Sequence, residues 1–156
     1  MEMLAARLYG KDDLRIERVP VPQIADDEIL VKVKAAAVCG TDLRMLKNVT
    51  AGIDKDHPVT LAHEFAGVVD KVGSRVTGYQ PGQRVSVAPN IGCGICDFCV
   101  SGNSHHCQSL TALGIHLDGG FAEYVRIPAA AVRLGNVCPI ADTVTFEAAA
   151  ANEALS

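Results

Sequence analysis

The 156-residue sequence lacks long apolar runs, blocks of like charge and low-complexity segments. Its longer apolar stretches, such as 35–39 and 148–151, fall far short of the roughly 20 residues that span a bilayer. The N-terminus reaches Gly10 and then several charges too soon to form the core of a secretion signal. We therefore expect a cytoplasmic protein that does not act at a membrane.

The chain also lacks an excess of basic residues. With a net charge of −4 it has no electrostatic footprint for nucleic acid, so DNA or RNA is not an expected partner. Nearly half of the residues are apolar, at 49%, and the length suits one well-filled core. We expect a single compact domain over 1–156.

A third absence concerns cofactor binding. No Gly-x-Gly-x-x-Gly fingerprint follows a strand-like run, and the pair Gly92 and Gly94 continues into Ile95-Cys96-Asp97 instead. The chain ends at 152–156 in helical composition, without a glycine or proline stop. We expect a truncated chain that contains no dinucleotide-binding unit of its own.

The apolar pattern indicates a mainly β fold with short helices. Residues 29–35 alternate apolar side chains with Lys32 and Lys34, as a half-buried strand does. Gly or Pro bounds the other strand-like runs, which suits an antiparallel barrel or sandwich; these runs are 4–9, 14–19, 65–72, 84–88 and 121–127. Helices are expected near the start, over 40–46 and opened by Thr41 and Asp42, and at the end, from the cap Thr145.

Four cysteines fall within fifteen residues, as Cys93-x2-Cys96-x2-Cys99-x7-Cys107. Four thiolates at this spacing suit a tetrahedral zinc ion and leave no open position, so the site is predicted to be structural. An iron–sulfur cluster, unrelated core thiols or disulfides are the alternatives. His105 and His106 compete with Cys107 as a fourth ligand, but the cysteine completes an all-thiolate set.

A second, more widely spread set consists of Cys39, His63, Glu64 and Glu153. One thiolate, one imidazole and one or two carboxylates can hold zinc with a position open to substrate. Spacing alone supports this site weakly, because a lone cysteine is usually a core residue and a His-Glu pair is usually on the surface.

The segments CGTD, AHEFAGVVDKVG, CGICDFC followed by Cys107, and DGGFAEYV resemble the zinc-containing medium-chain dehydrogenases. The resemblance runs from about residue 4 to the end. It implies a GroES-like catalytic domain, a partly open β-barrel that carries two zinc ions and precedes a Rossmann domain for NAD or NADP. It also implies that the full-length protein is a homodimer or homotetramer.

The resemblance assigns roles residue by residue. Cys39 and His63 would bind a catalytic zinc, Glu64 would bind it or lie beside it, and Glu153 would contact it directly or through water. Thr41 would pass the proton. The four clustered cysteines would hold the structural zinc, namely Cys93, Cys96, Cys99 and Cys107.

Glu64 directly after His63, together with Asn152-Glu153-Ala154-Leu155-Ser156, resembles the sorbitol and sugar-acid branch of this family. Ala62 stands where glycine is common, and Arg44 stands where several relatives carry a relay histidine. His116 either contacts a substrate hydroxyl or lies in a surface loop, and the surface loop is the favoured interpretation. Cys138 is expected to be a small buried residue.

Two functions from different classes follow. The first is a zinc-dependent dehydrogenase domain that oxidises a polyol, sugar acid or secondary alcohol with NAD(P), inactive without its cofactor-binding half. The second is a stand-alone zinc-binding interaction module without activity. A zinc-free quinone reductase is disfavoured, because that branch of the family lacks the ligands found here.

Overall fold

The computed structural model describes residues 1–48 and 50–155, so Ser156 of the terminal segment lies outside the described residues. The strands are β1 (Glu2–Gly10), β2 (Asp13–Pro20), β3 (Ile29–Ala37), β4 (Val59–Thr60), β5 (Glu64–Val72), β6 (Arg84–Val87), β7 (Asn90–Ile91), β8 (Thr111–Ala112), β9 (Tyr124–Ile127) and β10 (Val137–Pro139). The helices are α1 (Gly40–Lys47), α2 (Asp97–Val100), α3 (Ala129–Leu134) and α4 (Phe146–Ala151), with 3-10 turns at Ser104–His106 and Asn152–Leu155. Within the described ranges, no helix is long and apolar enough to cross a membrane.

Two antiparallel sheets form the body of the molecule. One has the order β10-β6-β5-β3-β9 and the other the order β2-β1-β4. Residues 121–123 join them, because the Ala6 N–H donates to the Phe121 carbonyl at 2.8 Å and the Glu123 N–H donates to the Leu4 carbonyl at 3.2 Å. This partly open β-barrel with short helices confirms the predicted fold class.

The run predicted as one strand over 121–127 therefore has two roles. Its first residues pair with β1, and β9 begins only at Tyr124 and pairs with β3. The prediction that 121–127 is one strand was wrong, since an apolar run does not reveal where a chain passes from one sheet to the other.

Strand β3 lies at the centre of the core. Ile29 and Val31 are fully buried, and Lys32 and Lys34 are exposed, which confirms the predicted half-buried strand. The main core consists of branched aliphatic side chains from the five-stranded sheet around Phe65. Burial of such side chains stabilises the fold by roughly 1.5–3 kcal/mol each.

Two helices were expected, and the structure adds α2 and α3. The helix α3 follows Pro128 and ends at Gly135, whose φ of 81° is left-handed. These are ordinary start and stop signals, so α3 was detectable from sequence. The helix α2 has four residues, too few for a periodic pattern.

The helix α4 lies across β3 and β5. Its predicted cap is confirmed, since the Thr145 Oγ1 accepts the Ala148 N–H at 3.1 Å. Ala149 and Ala150 are buried against Ala66, and these short side chains allow close approach to the sheet. The following turn, Asn152–Leu155, therefore lies against β5.

Candidate metal centres

Cys39 lies between β3 and α1, where it is the N-cap residue of the helix. The Oδ2 atom of Asp42 accepts the Cys39 backbone N–H at 2.8 Å. Asp42 is 4% exposed, so this hydrogen bond is protected from water. A side chain three residues into α1 thus fixes the backbone that carries the thiol.

His63 and Glu64 lie at the start of β5. The β3–β5 register pairs Ala37 with Glu64, so Cys39, two residues past Ala37, lies beside the His63-Glu64 pair. Antiparallel pairing between two long strands thereby brings together residues that are 24 positions apart in sequence.

The ligand atoms of Cys39, His63 and Glu64 lie within 4.8 Å of one another. The His63 Nε2 is 3.9 Å from the Glu64 Oε1. Both side chains are buried, and the His63 Nδ1 has no hydrogen-bond partner among residues 1–48 and 50–155. A buried carboxylate and imidazole beside a partly buried thiol suit a divalent cation, because the buried imidazole nitrogen has no other partner in the described residues; the donor set therefore fits zinc.

Glu153 lies near the same cluster. It belongs to the Asn152–Leu155 turn, which packs against β5. Burial raises the pKa of its carboxyl; the His63 imidazole opposes this shift, and the Glu64 carboxylate adds to it. Glu153 therefore interacts electrostatically with both residues. In the part of the chain that the structure describes, the set whose ligand atoms lie within 4.8 Å of one another nevertheless comprises only Cys39, His63 and Glu64.

Thr41 is the second residue of α1, so the expectation that Thr41 opens the helix was wrong; Cys39 does so. The Thr41 Oγ1 accepts a hydrogen bond from the Arg44 Nη2 at 2.9 Å. This contact occupies one acceptor position of the hydroxyl and leaves its proton available for donation.

The second centre contains all four predicted cysteines. The thiols of Cys93, Cys96, Cys99 and Cys107 lie within 4.8 Å of one another, and the Cys93 and Cys99 sulfurs are 3.9 Å apart. Tetrahedral thiolates about 2.3 Å from zinc would be separated by about 3.8 Å. A Cβ at Gly92 would lie 2.7 Å from the Cys99 sulfur, so glycine is required there.

Backbone N–H groups favour a thiolate in this cluster. The N–H groups of Ile95 and Cys96 lower the pKa of Cys93 to about 6. The N–H of Cys99 lowers the pKa of Cys96, but burial and the neighbouring thiols outweigh it and raise that pKa to about 11. A bound cation would remove this competition, because all four thiols deprotonate on coordination.

The other candidate residues lie elsewhere. His105 and His106 are exposed and do not belong to the four-sulfur set. The His116 Nδ1 accepts the Ala112 N–H at 3.0 Å, and His116 shares a groove of about 360 Å³ with His57, apart from both metal centres. Cys138 is exposed, so the expectation of a buried thiol was wrong: it alternates with buried Val137 along β10.

Two polar residues escaped the sequence analysis. Asp42 was taken only as a helix-opening residue. Buried Asn136 donates to the carbonyls of Ala88 and Asn90 at 2.9 and 2.8 Å, which fixes the loop that leads into the cysteine lobe, residues 92–110. A lone Asp or Asn gives no periodic or spacing signal.

Comparison with known proteins identifies the family. Residues 25–136 match the family model described as the alcohol dehydrogenase GroES-like domain. The L-threonine 3-dehydrogenase of Xanthomonas campestris pv. campestris strain B100 is 40% identical over 157 residues, covering 96% of this chain and 43% of that protein.

Solved structures give the same result. A zinc-binding dehydrogenase from Sinorhizobium meliloti 1021, bound to NADP, superposes with a TM-score of 0.82 at 37% identity, over 96% of this chain and 42% of that one. The galactitol-1-phosphate dehydrogenase of Escherichia coli gives a TM-score of 0.83 at 32% identity, over 95% and 41%. The chain thus spans about two fifths of the length of these relatives. It belongs to the alcohol dehydrogenase GroES-like domain family of the zinc-containing medium-chain dehydrogenases.

Proposed function

We propose that residues 1–156 form the zinc-binding catalytic domain of a longer NAD(P)-dependent dehydrogenase. The reaction is oxidation of a polyol, a sugar acid or another secondary alcohol to the ketone. The observation that carries the proposal is the convergence of Cys39, His63 and Glu64 within 4.8 Å. Three donors of mixed type leave a coordination position for substrate, as catalytic zinc sites require.

The proposal assigns Cys39, His63 and Glu64 as zinc ligands and Glu153 as a further carboxylate at the metal or one water away. When bound there, zinc supplies a Lewis acid that lowers the pKa of an alcohol oxygen. Two zinc ions per subunit are expected, the second held by the four clustered cysteines. That site is saturated and serves structure only.

The chain's own residues supply orientation and proton transfer. The Thr41 hydroxyl, held by Arg44, accepts the substrate proton and donates its own onward. A cleft of about 600 Å³ is lined by Glu153 and by the polar residues Ser86, Asn90 and Asn152. Amide and hydroxyl groups suit a substrate that carries several hydroxyls.

Names of the relatives support the substrate class. Threonine and galactitol 1-phosphate, named in two of them, both contain secondary alcohols. A polyol or sugar acid fits the paired His63-Glu64 of the sorbitol-like branch. We further propose a homodimeric or homotetrameric, cytoplasmic protein whose cofactor, NAD or NADP, binds to a domain outside residues 1–156.

A panel of polyols, sugar acids and L-threonine, tested on the full-length protein with each nucleotide, checks the proposal. Thr41→Val should lower kcat by about 10²-fold or more, because it removes the proton path, while Thr41→Ser should retain most of it. Residues 1–156 alone should turn over no substrate. Equal turnover by the valine and serine variants would contradict the role of Thr41.

A second candidate function rests on the cysteine lobe. Ile95, Phe98 and Val100 are 85%, 45% and 71% exposed there, an unusual density of apolar side chains on a small surface. A non-catalytic interaction module would use such a surface. In that case the full-length protein would bind both zinc ions and oxidise none of the panel, and codons after Ser156 would not encode a nucleotide-binding unit.

A further inference from the structure

Strand β6 presents two polar side chains to α4. Along β6, Val85 and Val87 are buried in the core at 0% and 1% exposure. Arg84 and Ser86, which alternate with them, contact the segment of α4 on the opposite face. The dehydrogenase resemblance assigned no role to either residue.

Arg84 holds the beginning of α4. Its guanidinium carbon lies 4.2 Å from the ring centroid of Phe146, the first residue of the helix. Its Nη2 donates to the Val144 carbonyl, and its backbone carbonyl accepts the Ile140 N–H at 3.1 Å. Stacking and hydrogen bonding together restrict this part of the chain in two directions.

The ion pair of Arg84 with Asp142 adds little to this restraint. The Nε–Oδ1 distance is 3.9 Å, and the Asp142 side chain is 99% exposed, whereas that of Arg84 is 26% exposed. Solvent screens a pair of this kind. The contacts that fix Arg84 are therefore those with Phe146 and Val144.

Ser86 holds the second turn of the same helix. Its hydroxyl donates to the Ala149 carbonyl at 3.2 Å, while Ala149 itself is buried. Glu153 follows Ala149 by four residues, about one helical turn. Because the helix is short and continues directly into the 3-10 turn, a shift of α4 along β6 displaces Glu153 by a similar amount.

We propose that Arg84 is a positioning residue which, with Ser86, fixes α4 on β6 so that the Glu153 carboxylate lies beside the His63-Glu64 edge of the catalytic metal centre. The inference rests on the proposed function, because it requires Glu153 to contribute to that centre. Arg84 itself touches neither substrate nor metal and acts through Glu153.

The test is a double-mutant cycle on zinc affinity, measured in the full-length protein by competition with a chromophoric chelator. Arg84→Met keeps an unbranched stem over Phe146 but removes the charge and the donors. Arg84→Met and Glu153→Ala should each weaken zinc binding at the Cys39 centre about tenfold, and the double variant should bind no more weakly than Glu153→Ala alone.

Arg126→Met is the matched control. Arg126 lies on β9 and pairs with Glu28 at 3.4 Å, away from α4, so its loss should leave both zinc affinities unchanged. The cysteine-lobe zinc should be retained in every variant. Arg84→Lys, which keeps the cation but not the planar fork, should lose only about threefold.

The double-mutant cycle distinguishes failure of the positioning proposal from failure of the proposed function. If Glu153→Ala weakens zinc binding while Arg84→Met does not, or if their losses multiply, the positioning proposal is overturned and the proposed function stands. If Glu153→Ala leaves the affinity unchanged, Glu153 has no role at the metal and the positioning proposal is overturned, while the proposed function still rests on Cys39, His63 and Glu64. Only a wild-type protein that binds no zinc at the Cys39 centre would overturn the proposed function as well. Should Arg84→Met not fold, Ser86→Ala takes its place in the cycle with the same expected non-additivity.

Discussion

Asp42 binds the backbone on both sides of the cluster formed by Cys39, His63 and Glu64. Its Oδ2 accepts the Cys39 N–H at 2.8 Å, and its Oδ1 accepts the Ala62 N–H at 3.2 Å. One buried carboxylate thus joins the segment that carries the thiol to the residue before His63. The side chain contributes to the distance between two ligands without belonging to the compact donor set.

Asp42→Asn is expected to damage both stability and metal binding. The asparagine amide has the same shape, but its NH2 group would face the N–H of Cys39 or Ala62 in place of a carboxylate oxygen. One hydrogen bond is lost and two donors face each other, so we expect a loss of about 2 kcal/mol in the free energy of unfolding. Zinc should be lost from the Cys39 centre before it is lost from the cysteine lobe. Urea denaturation and metal analysis check this, with exposed Asp56→Asn as the control. Equal stability of the two variants would contradict it.

Backbone strain at Ala62 provides a second prediction. Ala62 has a φ of 70°, a conformation that suits glycine, and it is fully buried. Ala62→Gly relieves about 1–2 kcal/mol of strain, while the added chain entropy and the lost methyl contact cost a similar amount.

The stability of Ala62→Gly should therefore stay within about 0.5 kcal/mol of the wild type. Ala66→Gly, equally buried but within β5, should cost about 1–2 kcal/mol, because it relieves no strain. Thermal or urea unfolding compares the two. A larger loss in Ala62→Gly than in Ala66→Gly would show that the strain is not significant.

The cysteine lobe should depend on its metal. Cys99→Ser removes one of four ligands, so residues 92–110 should become sensitive to limited proteolysis while the barrel stays folded. Cys138→Ser is the matched control, because that thiol is exposed and outside the cluster. Identical cleavage of the two variants would exclude a structural metal in the lobe.

In the metal-free protein the lobe thiols should differ in reactivity. Because the pKa of Cys93 is lowered to about 6, its thiolate persists at neutral pH and should react with iodoacetamide before Cys96, whose pKa is raised to about 11. The Cys93 rate should fall as the pH drops through about 6. Fragmentation mass spectrometry after short labelling measures the order, and faster labelling of Cys96 would contradict it.

The two candidate metal centres differ in how far sequence alone could predict them. Four cysteines within fifteen residues form a local set, so their spacing indicates a site directly. Cys39 and His63 meet only through the β3–β5 register, which no local pattern encodes. Their assignment therefore came from family resemblance, and the structure supplies its geometric basis.

Several sequence-based predictions were wrong or incomplete because they depend on strand register or backbone contacts rather than on a local sequence pattern. Cys138 was expected inside because cysteine is usually buried, but its side depends on the register of a three-residue strand. The positive φ of Ala62 was not foreseen, although the family's glycine at that position indicated it. The contacts of Asp42 with Cys39 and Ala62 involve backbone N–H groups, which every residue type except proline offers, so sequence carries no sign of them.

The central claim is that the chain holds two independent zinc centres, and counting metal ions tests it most directly. Plasma mass spectrometry of the folded protein should find about two zinc ions per chain, and about one in either Cys39→Ser or Cys99→Ser. Each variant should keep the ion of its intact centre. A folded wild-type protein with no zinc at Cys39 and His63, or a Cys39→Ser variant that still holds two ions, would contradict the account.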